Sequence, residues 1–179
     1  MTERFSPVAD QADDVRAYLD ASRPEGRNAP GTIRALAHRP PMLRTFLAWA
    51  RVLAREGALV RRDHEILALR ASHNCRSSFE WGEHLEFGLA AGLDEDEIAA
   101  IASGADDSIW QLHEAALLRA ADQLHAGCDI DDPTWAVLAA HYDEAQRVEI
   151  VYVVGQYTML SMVANALRVE VPATFRPLY

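Results

Sequence analysis

Residues 63–92 read DHEILALRASHNCRSSFEWGEHLEFGLAAG, and the rest of the chain is arranged around this stretch. It parses into two helices joined by a break at Cys75-Arg76. Asp63 can cap the first helix, whose apolar side starts with Ile66, Leu67 and Leu69. Ser77 can cap the second, with Glu80 at the capping-box position three residues later. Gly92 suits the C-terminal stop. Glu80 and His84 are four apart and share one helix face. If the hairpin closes tightly, Glu65 on the first helix comes to face both. Two carboxylates and an imidazole in one apolar cleft are equipment for proton transfer.

The same residues carry a family resemblance. The spacing Glu65, Ser77, Glu80, His84 resembles the carboxymuconolactone decarboxylase and alkylhydroperoxidase family. There a Glu is followed after eleven residues by a Cys-x-x-Cys pair, and three residues later by a His. Here the two thiol places hold Ser77 and Glu80, while Glu65 and His84 match. Cys75 lies two residues out of register, with no second Cys after it. The segment SSFEWGEH is similar to a thiol-free branch with an S-x-x-E-W-x-x-H pattern. The match is specific over residues 60–92 and looser over about 35–168. It implies an all-α, alkylhydroperoxidase-like fold: a compact bundle of about six to eight helices around a central hairpin. It also implies a homo-oligomer (trimer, hexamer or dimer) with no cofactor, and a place in aromatic catabolism.

Composition bounds the rest. A length of 179 residues fits one domain with a sizeable core. The expected organisation is an N-terminal arm and short helix over 1–30, then a single all-α domain over 31–179. Net charge is -10, which makes nucleic acid and anionic membrane poor partners. Every basic side chain is arginine, so Schiff-base chemistry, a lysine nucleophile and pyridoxal attachment are excluded. Cys75 and Cys128 are the only cysteines and show neither metal spacing nor a disulfide framework, which suits a reducing cytosol. Residues 1–20 lack the basic start and apolar core of a signal peptide, so a cytoplasmic location is expected.

Along the chain, Met1–Asp10 reads as a loose arm and Gln11–Ala21 as a short helix with Val15, Tyr18 and Leu19 on one side. Ser22–Pro30 reads as a loop and Gly31–His38 as a helical turn stopped by Pro40-Pro41. Pro41 can open the next helix, Met42–Glu56, with Leu43, Phe46, Leu47, Ala50, Leu53 and Ala54 at helical spacing. Beyond Gly92, Asp94 and Glu97 form a capping box on a helix ended by Ser103-Gly104. Ser108-x-x-Gln111 opens another, with Leu112, Ala116, Leu117, Ala120 and Leu124 inward. Asp132-Pro133 opens the next, and Asp143-x-x-Gln146 the last, to about Arg168. Val148–Leu167 is apolar enough to suggest a membrane span, but Glu149, Gln156 and Asn165 interrupt it. A core helix, or one buried between subunits, is the better reading.

Catalytic candidates are thus Glu65, Glu80 and His84, with Ser77, Trp81, Arg70 and Arg76 as substrate-binding candidates. Each has a plainer role: capping for Ser77 and Glu80, the helix dipole for Glu65, core packing for His84 and Trp81. His64 and His73 read as solvated. Glu80, His84 and Glu65 could supply three metal ligands, but there is no HExxH pair and the family is usually metal-free, so no metal is expected. The resemblance implies a cofactor-independent acid/base enzyme on a small lactone or carboxylic acid, such as decarboxylation of a carboxymuconolactone to an enol-lactone and carbon dioxide. His84 would deliver the proton and Arg70 or Arg76 would hold the substrate anion. A dithiol peroxidase is rejected for want of the two thiols. The alternative is a relative that has lost dithiol chemistry and serves as a non-catalytic, oligomeric ligand-binding protein.

Overall fold

The computed structural model describes residues 2–6, 8, 13–21 and 28–178. Among these there is no strand; nine helices account for the secondary structure, one more than the upper end of the expectation. The extra element arises because Gly31–Leu36 closes as a helix of its own. The arm residues Met1, Pro7, Ala9 and Asp10, the expected helix start at Gln11 and Ala12, and loop residues 22–27 lie outside the described residues.

The chain divides into two compact units, Met1–Glu56 with Val163–Glu170 and Gly57–Met162 with Val171–Tyr179. The first division falls after Glu56. The reason is a shared core. α1 (Asp13–Ala21), α2 (Gly31–Leu36) and α3 (Pro40–Arg55) bury Val15, Leu19, Ile33, Ala37 and Leu43 together, with Tyr18, Phe46 and Leu47 packed against them. α3 begins at Pro40, where a fixed φ and a missing N–H cost nothing in the first turn.

The second unit is built around α4 (Arg61–Asn74), against which α5 (Ser78–Ala90), α6 (Glu95–Ser103) and α7 (Leu112–Gly127) pack. Seven consecutive residues of α4, Asp63 to Leu69, are buried. That run goes all the way round the helix, so α4 occupies the centre that the sequence suggested for the last helix. α8 (Asp132–His141) packs on α7. α9 (Glu144–Leu167) is the one described helix long and apolar enough to cross a membrane, with mean hydropathy 1.4 over its best window, of which 44% is buried. It buries Ile150, Val153, Val154, Tyr157 and Leu160 and exposes Val148, Val151, Tyr152, Met159 and Met162. Within this chain it is therefore buried on one side only.

Local chemistry explains the boundaries. α6 has the expected capping box: Glu97 N donates to Asp94 at 2.9 Å and Asp94 N to Glu97 at 2.9 Å. α9 opens with the same reciprocal pair from Asp143 and Gln146. α7 starts later than Ser108 suggested, because Gln111 N donates to Glu114 Oε2 at 3.0 Å. Leu112 consequently points outward at 70% exposure instead of inward. α8 is capped by Asp131, not Asp132, through a 2.9 Å bond from Thr134 N. Gly82 is required by close packing: a Cβ there would lie 2.3 Å from the Phe175 ring.

Candidate active site

The hairpin break sets up the site. α4 ends at Asn74, and Arg76 takes a left-handed φ of 52° that L residues disfavour. Ser77 N then donates back to Ser72 O at 2.9 Å. A capping box would have given that N–H to Glu80. Ser77 does cap α5, accepting from Glu80 N at 3.4 Å, but the reciprocal half is missing. The Glu80 carboxyl is thereby released from the helix end and sits in the interior, 1% exposed, with Oε1 unpartnered among the described residues.

One turn on, His84 Nδ1 meets Glu65 Oε2 at 2.7 Å, closing the expected contact across the hairpin. Glu65 is fully buried and its other oxygen accepts from Arg61, one turn earlier on α4. The ring of Tyr157 from α9 stands edge-on to His84, centroids 4.3 Å apart, and the Tyr157 hydroxyl shares a 2.9 Å hydrogen bond with His64 Nε2. Phe87 flanks the other side of His84 at 5.5 Å.

Three carboxyl and imidazole groups in one dry place cannot all keep their ordinary protonation. Burial pushes Glu65 up, but the charge and hydrogen bond of His84, with His64 and Arg61, outweigh it and hold the carboxyl below its usual range. Burial pushes His84 down; Glu65, Glu80 and Glu83 outweigh that and raise it. Together they make an imidazolium–carboxylate pair. Glu80 has no such partner, and burial, reinforced by Glu83, lifts it to about 8 against the opposing charge of His84. At neutral pH it is a neutral acid. Burial likewise lowers His64 to about 4, so this imidazole is uncharged, and raises Tyr157 well above the phenol range.

The structure brings Glu65, Glu80 and His84 into one cluster and leaves the other candidates elsewhere. Ser77 is buried as a helix cap. Trp81 is buried against His73, ring centroids 6.0 Å apart. Arg70 is committed to Asp122 at 2.6 Å and to the carbonyls of Ile101 and Ala102, because its place on α4 faces α6 and α7. Arg76 is exposed at the hairpin break. The arginine at the cluster is Arg61. Asp63 does not cap α4; Val60 precedes the helix and Asp63 accepts from the Tyr142 hydroxyl at 2.9 Å. His64 is buried, not solvated, and His73 is half-buried. Cys75 closes α4 with its Sγ 3.7 Å from His125 Nδ1, and burial pushes its thiol up, away from a reactive thiolate.

His64 and Tyr157 are the members of the cluster that reading the sequence missed. His64 lies at i, i+4, i+7 spacing with the buried Ala68 and Ala71, which is the signal that it faces inward. Tyr157 sits in the most apolar helix of the chain, where nothing in the local pattern distinguishes it from core.

Fold and cluster together define an all-α chain with an alkylhydroperoxidase-like fold whose central hairpin buries an acid–imidazole cluster. Residues 40–123, which include the hairpin and its flanking helices, match the model of the carboxymuconolactone decarboxylase family. Among curated proteins none is significantly similar to the chain. Solved structures share the fold. An uncharacterized peroxidase-related protein from Silicibacter sp. TM1040 has TM-score 0.84 at 16% identity, over 97% of this chain and 93% of its own. A second peroxidase-related protein, from Ralstonia eutropha JMP134 and described as an alkylhydroperoxidase AhpD core, has TM-score 0.83 at 16% identity, over 96% and 93%. The debrominase Bmp8, in complex with 2,3,4-tribromopyrrole, has TM-score 0.77 at 14% identity, over 97% and 94%.

Proposed function

We propose that the protein is a cofactor-independent acid/base enzyme acting on a small lactone or carboxylic acid, with decarboxylation as its reaction class. The observation that carries this is the division of labour among three buried groups. Glu65 and His84 form a charged pair at 2.7 Å, while Glu80 beside them is a neutral acid. With Arg61 and His84 positive and Glu65 negative, the inner cluster presents a positive group to an anionic substrate, with Glu83 the further negative charge acting on it. Had Glu80 stayed ionised, it would add a negative charge against such a substrate. Loss of carbon dioxide from a substrate carboxylate leaves an electron pair beside a carbonyl. His84, held through Nδ1 by Glu65, offers its other N–H as the proton that ends up on that carbon, and the imidazole is then reprotonated from solvent. Glu80 O–H donates to the carbonyl oxygen where the negative charge collects. Tyr157, edge-on to His84, fixes the plane of the imidazole.

Support for a small planar substrate comes from the similar fold of Bmp8, which binds a bromopyrrole. The burial of His84, only 7% exposed, favours chemistry over a solvated surface role. The complete burial of Glu65 equally favours the second reading, a ligand-binding protein without turnover. A panel of carboxylated lactones and β-keto acids assayed for carbon dioxide release separates the two. Turnover by wild type that falls about a hundredfold or more in His84→Gln, with the fold intact, supports the enzyme. Binding without turnover across the panel supports the other.

We further propose that the exposed apolar side of α9, Val148, Val151, Tyr152, Met159 and Met162, is covered by a second copy of the chain. Five large apolar side chains on one helix face are more than a solvated surface carries at random.

A further inference from the structure

On the side of α4 away from His84 lies a polar cavity of about 350 Å³, lined by Arg62, Asp63, Gln111, His113, His141 and Tyr142 among others. Its walls are ordered by contacts unrelated to the acid–imidazole cluster. The rings of His113 and His141 stack at 3.8 Å with planes 9° apart, and Tyr142 stands edge-on to both. The charges are unevenly answered. Arg62 is held by Glu97 and, at 2.8 Å, by Glu114, two carboxylates for one guanidinium. Asp63, 4% exposed, has only the Tyr142 hydroxyl on Oδ2. One buried carboxylate therefore lines the cavity with no arginine of its own, answered only by the Tyr142 hydroxyl and the nearby His113 and His141 rings.

We propose that this cavity binds a small organic cation carrying a primary ammonium group, with Asp63 as its counter-ion. The group would donate to Asp63 Oδ1 and to an imidazole nitrogen, while its carbon chain lies along the stacked rings and the Tyr142 ring attracts the cation. A transition metal does not fit. Imidazole ligates through an in-plane lone pair at about 2.0–2.1 Å, and two parallel rings so closely stacked cannot both aim in plane at one ion. Among the described residues no three His, Cys, Asp or Glu side chains come together as a metal site. An anion is disfavoured because both Arg62-bound carboxylates already saturate the one cation present. Burial, with Glu114 near, outweighs the Tyr142 hydrogen bond and the His113 and His141 rings and holds Asp63 above its usual range; a cation seated beside it would bring it back down.

The test is a titration of the whole protein with n-butylammonium chloride, followed by NMR of the His113 and His141 ring protons. Sodium chloride at equal ionic strength and n-butanol serve as controls. Saturable shifts with n-butylammonium, absent with both controls and weakened at least tenfold in Asp63→Asn, are expected. Should Asp63→Asn fail to fold, Gln111→Arg at the exposed rim places a cation on Asp63 and is expected to abolish the shifts. No saturable shift in wild type, equal shifts with n-butanol or salt, or shifts unaltered in whichever variant folds, would overturn the assignment.

Discussion

Glu80→Gln separates a buried neutral acid from a buried charge. The folded chain raises the Glu80 carboxyl to about 8 from an ordinary 4.5, chiefly by burial. Between these values the native state keeps a proton that the unfolded chain has released. Stability from this group is therefore intact below the ordinary value, falls as pH rises through the window, and stops falling above about 8. Each tenfold change in proton affinity is worth about 1.4 kcal/mol. Wild type thus loses roughly 2–3 kcal/mol from this residue between pH 5 and pH 7. At 1% exposure little of this is screened by solvent. Gln has the shape of the neutral acid and no proton to lose, so its contribution is flat. Its buried amide still lacks partners, at a cost of about 1–3 kcal/mol. Glu80→Gln should consequently be less stable than wild type at pH 5 and draw level or pass it by pH 7. Urea melts of both proteins from pH 5 to pH 8 measure this, because titrating groups not coupled to Glu80 move both curves alike; His84, which feels Glu80, is the exception. Parallel pH profiles would mean that Glu80 is not held protonated, and the neutral-acid role would fail with it.

Other expectations follow from particular contacts. Tyr157→Phe removes the hydroxyl from a buried His64 and should destabilise by about 1–3 kcal/mol in denaturant melts, with secondary structure unchanged. Gly82→Ala forces a Cβ against the ring and Cβ of Phe175 and should cost about 1–3 kcal/mol; Phe175→Ala in the same chain should recover part of it. Met162→Glu, at 62% exposure, should change chain stability by under about 0.5 kcal/mol, yet shift light scattering to a smaller species if a second copy covers α9. An unchanged mass would remove α9 as the interface. His84→Asn, shorter than the Gln variant, should leave Glu65 paired with Arg61 alone and abolish turnover of any substrate found; retained turnover would make His84 structural.

The helices and the Glu65–His84 contact were legible because they rest on local rules. Capping pairs such as Asp94–Glu97 and Asp143–Gln146 sit three residues apart in sequence and form as written. Glu80 defeated the same rule, since its expected donor, Ser77 N, is taken by Ser72 O in closing α4. That competition is between two helix ends and appears only when both are built. Arg70 and Arg76 were chosen for charge and nearness in sequence, but helix rotation turns Arg70 to Asp122 and the left-handed turn leaves Arg76 outside. The central position of α4 was hidden because its polar residues disguise its burial, whereas α9, richer in apolar side chains, leaves one face out.

Asp63-His64-Glu65 shows what that disguise conceals. Three ionisable residues in the first turn of a helix read as a solvated end, favoured there by the dipole. All three are buried, and successive positions on a helix point about 100° apart. Each therefore needs its own partner from a different element: Tyr142 for Asp63, Tyr157 for His64, His84 for Glu65. Burying three such groups unpaired would cost several kcal/mol apiece, so the fold is stable only because distant residues supply the partners. The same geometry puts Glu65 in the acid–imidazole cluster and Asp63 at the cavity beside His113 and His141, two different sides of α4. A displacement of this one turn would change the pairing of both carboxylates at once, because each is fixed by a partner from a different element.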